Sequence, residues 1–153
     1  MIEGNEFNIL LDVVIASVLT LLIGLEREKA HKAAGMRTNM IVGGFTCLII
    51  LLSVPLIQKI AENAQVDMVE ADPIRIIQAI VIGISFIGAG TILKQKEHSD
   101  VKGLTTAATL LFSSGIGICV ALHYYVLAAL LTFFIILINF LLRLILKKFT
   151  TLK

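Results

Sequence analysis

From residue 103 to residue 142 the chain carries no Asp, Glu, Lys or Arg. A helix of that length extends about 60 Å, roughly twice the thickness of a bilayer's hydrocarbon layer. The run must therefore be two spans joined by a turn. His123, Tyr124 and Tyr125 are the only polar place for it, and tyrosines favour the headgroup level of a membrane. With 58% hydrophobic and 16% charged residues, and a mean hydropathy of +0.96, the chain lacks the polar cover a soluble domain needs.

The same reading places three more spans upstream. Asp12 alone breaks the first, and the second and third are uncharged. Spans are predicted near 7–25, 38–58, 76–94, 103–122 and 125–146. Backbone facing lipid must satisfy its own hydrogen bonds, and the alternating ten-residue segments of a barrel are missing. The expected fold is an all-α integral membrane protein, a single domain over 1–153 built as a bundle of five transmembrane helices. Asp72-Pro73 reads as the N-cap and first residue of the third helix. Gln58 to Asn63 reads as an extension of the second.

Basic residues set the expected orientation. Arg27, Lys29, Lys32, Arg37, Lys94, Lys96, Lys102 and the C-terminal Arg143, Lys147, Lys148 and Lys153 share one side of a five-span layout. Only Lys59 and Arg75 of the thirteen basic residues fall on the other, with Glu3, Glu6, Glu62, Asp67, Glu70 and Asp72. The positive-inside rule puts the N-terminus outside and the C-terminus in the cytoplasm. No basic segment precedes the first span, so no signal peptide is read there. Nothing after Lys148 is long enough to fold. The net charge of +2 thus hides a strong sidedness that suits anionic lipid. No basic strip interleaved with aromatics suggests nucleic acid. Cys47 and Cys119 stand alone within spans and read as small apolar residues.

Several residues stand out for chemistry. Glu26 and Arg27 lie at the foot of the first span, and Arg37, Thr38 and Asn39 open the second. One reading is an interfacial loop that anchors headgroups, with Thr38 or Asn39 as N-cap. The sharper one is an ion pair between Glu26 and Arg37 across the mouth of two helices, brought close by a tight turn at Gly35. Asp12 is an immersed carboxylate or an outer-interface residue, and immersed carboxylates suggest function. Thr105, Thr109, Ser113, Gly117 and Ala121 recur every four residues, a small-residue ridge that marks close helix approach. Gly83, Gly88 and Gly90, with Ser85 and Ala89, give the third span a thin surface expected to meet that ridge. Asn139 reads as an interhelical hydrogen bond. Neither of those two spans holds an acid for a divalent cation. No Gly-rich phosphate loop, paired histidines or ordered nucleophile supports an enzyme. No cofactor is expected, and no ligand set for Mg²⁺ is assigned.

The segments Gly24-Leu25-Glu26-Arg27-Glu28, Gly35-Met36-Arg37-Thr38-Asn39, Asp72-Pro73-Ile74-Arg75-Ile76, Gly83-Ile84-Ser85-Phe86-Ile87-Gly88-Ala89-Gly90 and Gly103-Leu104-Thr105-Thr106-Ala107-Ala108 resemble the MgtC/SapB membrane family. They occur in that family's order and cover most of 15–122. The resemblance adds Thr106 to the candidate residues and implies a five-span bacterial inner-membrane protein linked to magnesium limitation. It implies no nucleotide hydrolysis. Some members restrain the ATP synthase or act through membrane partners, and longer members carry a soluble C-terminal domain that is not seen before Lys153. The expected function is adaptation to low Mg²⁺ through helix contacts with a membrane partner or a second copy. The alternative is an oligomeric transporter or channel for Mg²⁺ or another small solute, with Asp12, Glu26, Arg27 and Arg37 along its path.

Overall fold

The computed structural model describes residues 3–63, 72–93 and 102–150, all helix or short turn. Five helices follow in order: α1 Glu3–Lys29, α2 Met36–Asn63, α3 Pro73–Leu93, α4 Leu104–Ala121 and α5 Tyr125–Thr150. Each is long and apolar enough to cross a membrane. Asp67, Glu70, Lys94, Lys96 and Lys153 lie outside the described residues. α1 starts at Glu3, before the predicted span, and α2 reaches Asn63, as the reading of Gln58 to Asn63 as its extension expects. Pro55 sits inside α2 without ending it. Membrane helices tolerate this because local adjustment satisfies the freed carbonyl.

Local chemistry sets the ends. Asp72 accepts the Ile74 N–H at 2.9 Å, which caps α3 as its position before Pro73 predicts. Two histidines close helices where glycine usually stands. His31 (φ 54°) and His123 (φ 61°) are left-handed. Around them His31 N donates to Glu28 O and Lys32 N to Arg27 O, while His123 N donates to Val120 O and Tyr124 N to Cys119 O. Both are Schellman caps, which reverse the chain tightly after α1 and α4.

α4 is the hub, in contact with all four other helices, and α1 with α2 forms the most extensive interface. α3 leans on α4 and touches α2 lightly, while α5 rests on α1 and α4. The core joins Ala16 and Ile23 of α1, Cys47 of α2, Ile116, Val120 and Ala121 of α4 and Ala128 of α5. Large apolar side chains such as Phe86, Phe133 and Phe140 face outward, as lipid permits.

The small-residue seam is not where the sequence suggested. Gly83 and Gly90 have nothing within 4 Å of a would-be Cβ, and only Gly88 meets α4, 3.1 Å from the Ala107 Cβ. The ridge on α4 turns instead toward α2. A methyl at Gly117 would overlap the Gly43 carbonyl oxygen, and one at Gly43 or Gly44 would strike Thr20 or Ser17 of α1. The short α3–α4 connection makes those helices neighbours in sequence. The closest approach belongs to whichever pair has small residues facing each other over several turns, and that is α1–α2–α4. Thr109 is buried and turns its hydroxyl onto its own helix, at Thr105 O.

Candidate functional sites at the two ends of the bundle

At the basic end, the α1–α2 turn is built by three interlocking contacts. Glu28 Oε2 accepts the Met36 N–H at 3.0 Å, supplying a partner for the exposed start of α2. Asn39 is fully buried, and its Nδ2 donates to Ala34 O and Gly35 O. Its Oδ1 accepts from Ser113 Oγ of α4 at 2.8 Å, so one amide ties the turn to the hub. Gly24 permits the turn to close, since a Cβ there would lie 2.6 Å from the Met36 Cα.

Glu26 and Arg27 point to different neighbours. Asn139 Nδ2 of α5 donates to Glu26 Oε2 at 3.1 Å, the interhelical bond expected of that amide. Arg27 is 4% exposed, and its Nη2 donates to Thr105 Oγ1 at 3.1 Å and Thr106 Oγ1 at 3.4 Å of α4. Its Nε is buried with no partner among the described residues. The expected Glu26–Arg37 ion pair is not formed. Arg37 and Thr38 lie on the outer, wetter side of α2, Arg37 exposed and Thr38 half-buried. The turn that draws Asn39 inward rotates Arg37 away, because residues two apart on a helix do not share a face.

At the opposite end Asp12 is buried within the bundle, 3% exposed. Tyr125 Oη of α5 donates to Asp12 Oδ1 at 2.8 Å, and His123 Nδ1 lies 2.7 Å from Tyr125 Oη and 3.6 Å from Asp12 Oδ2. The Tyr125 proton is committed to Asp12, so the hydrogen-bond pattern assigns a proton to His123 Nδ1. Sequence reasoning placed His123 and Tyr125 only as a turn. Nothing in linear spacing joins them to Asp12. Ser17, Thr20, Gly24, Gly43 and Gly44 were also passed over, although Ala16-Thr20-Gly24 and Asn39-Gly43-Cys47 repeat the four-residue spacing that marked α4. Among the described residues no three His, Cys, Asp or Glu side chains gather to hold a metal.

Five apolar helices around a small-residue core define a multi-pass membrane protein, which in bacteria resides in the inner membrane. The chain belongs to the MgtC family, whose sequence model matches residues 13–148. It is similar to an uncharacterised protein of Haemophilus influenzae, 41% identical over 69% of this chain and 43% of that one. It is 34% identical to Escherichia coli YhiD, named as a proposed magnesium transporter, over 74% of this chain and 50% of the relative. With protein MgtC of Salmonella typhimurium it shares 38% identity over 90% of this chain and 53% of the relative. The chain thus spans about half the length of the curated relatives it matches. No solved structure matches it.

Proposed function

We propose that this chain is a non-enzymatic protein of Mg²⁺ homeostasis that acts by lateral helix contact with a second copy or a membrane partner. The link to Mg²⁺ rests on family membership and on the name of YhiD. The mode of action rests on one observation, the opposite states of the two small-residue surfaces. Along α1–α2–α4 the glycines are filled to contact by Thr20, Ser17 and the Gly43 carbonyl, which closes that seam to another helix. Along α3, Gly83 and Gly90 are uncovered beside the exposed Ile82 and Phe86. A thin, uncovered helix face is what another membrane helix can approach closely.

Purified protein in liposomes with an entrapped Mg²⁺ indicator is expected to pass no more Mg²⁺ than empty liposomes. A cysteine at Gly83 is expected to form disulfide-linked species in native membranes, whereas one at outward Val14 of α1 is not. Mg²⁺ flux that rises with protein content and falls in Asp12→Asn would favour the transporter instead.

A further inference from the structure

The basic end contains a cavity of about 390 Å³ lined by His31, Lys32, Ala33, Lys102, Gly103, Leu104, Thr105 and Thr106. Two features of its walls, and a third behind them, share one sign. Lys32 and Lys102 place two ammonium groups at its rim. The floor is the first turn of α4, where Gly103 (φ 100°) offers no side-chain cap. The N–H groups of that turn therefore stand at the positive end of the helix dipole without a capping oxygen. Behind Thr105 and Thr106 lies the Arg27 guanidinium, 4% exposed. Its Nη2 is held by those two hydroxyls, and its Nε has no partner among the described residues.

Glu26 favours the charged Arg27 through space while its carboxylate is engaged by Asn139, and Glu28 is engaged by the Met36 N–H. Among the described residues neither comes within ion-pair distance of Arg27. A buried guanidinium with only hydroxyl acceptors is costly unless an anion sits close by. Gly103 makes the cradle possible. Its left-handed φ and its approach to Thr91, whose carbonyl oxygen would lie 3.1 Å from a Cβ, exclude the side chain that would cap α4 and fill the space.

We infer that this cavity binds a phosphate group, with Lys32, Lys102 and the α4 N-terminus as direct contacts and Arg27 as the positioning charge beneath Thr105 and Thr106. Tetrahedral oxyanions match helix N-termini that carry convergent N–H groups and cations. The same chemistry occurs in free inorganic phosphate and in the headgroup of an anionic phospholipid.

The test is thermal unfolding of the detergent-solubilised chain, titrated in one arm with inorganic phosphate and in the other with short-chain phosphatidylglycerol. Sodium chloride at matched ionic strength and short-chain phosphatidylcholine serve as references. A rise in Tm with phosphate assigns a soluble ligand, and a rise with phosphatidylglycerol alone assigns the lipid. In either case the Lys32→Gln/Lys102→Gln variant is expected to bind at least tenfold more weakly while keeping its unliganded Tm. Arg75→Gln, at the other end of the bundle, is expected to bind as wild type. A Tm that follows only ionic strength in both arms, or a shift that survives unchanged in the double variant, overturns the site. Because Arg27 variants risk misfolding, Thr105→Val serves as the probe of the floor. It removes an acceptor of Arg27, so it is expected to weaken binding and also to lower the unliganded Tm.

Discussion

Asn39 shows what one buried amide does when every partner lies on a different element. Its two donors hold the carbonyls of Ala34 and Gly35 and its acceptor takes the Ser113 hydroxyl, so the α1–α2 turn and α4 are registered by a single side chain. Asn39→Ala leaves those groups unpaired in a dry site, and a loss of about 1–3 kcal/mol is expected. A double-mutant cycle with Ser113→Ala, read by unfolding in detergent, is expected to give a coupling of about 0.6–1.7 kcal/mol, the range of interhelical hydrogen bonds in membranes. Zero coupling would mean the amide serves the turn alone. Asp12 follows the same logic at the other end, where Tyr125 donates to a carboxylate buried in the bundle.

Among the elements, α4 owes its central place to side-chain size. Thr106, Thr109, Ser113, Ser114, Gly117 and Ala121 are all buried, so neighbours can approach from several sides. The glycine substitutions separate filled surfaces from open ones. Gly117→Val is expected to destabilise by about 1–3 kcal/mol or more, because the obstructing atom is the Gly43 backbone oxygen and cannot swing aside. Gly83→Val has nothing to strike within the chain and is expected to leave monomer stability unchanged while weakening whatever packs on α3. Thermal unfolding measures the first effect, and the yield of cross-linked species from a single cysteine at Ala79, one turn away on α3, measures the second.

At the level of the whole molecule, the charge asymmetry and the apolar belt describe one object in a membrane. Glu6 lies at the end shared by Asp72 and His123, and Lys32 lies at the end shared by Arg27 and Lys102. If the N-terminus lies outside, as the positive-inside rule expects, a cysteine at Glu6 reacts with a membrane-impermeant maleimide in intact cells, and one at Lys32 only after lysis. Cys47 is buried and Cys119 half-buried in the bundle, which keeps the native background low. The reverse labelling pattern would overturn the orientation and place the phosphate cavity on the outer face.

Charge-free runs and their lengths were enough to determine the number of spans, and Asp72-Pro73 enough to start α3. These are local matters: a span is decided by its own hydropathy, and a cap by the two or three residues around it. The family was legible too, because its motifs are continuous in sequence. The interior was decided only in three dimensions. The uncharged stretch from 103 to 142 showed that two helices cross the membrane, and nothing in it told which faces they would close upon. Close packing depends on which small residues meet across two helices, so Gly117 found Gly43 while Gly83 and Gly90 were left uncovered. The end sites arise in the same way. Asp12 and Tyr125 are remote in the chain, as are Arg27 and Thr106, and they meet because packed helices set side by side the ends that sequence keeps apart.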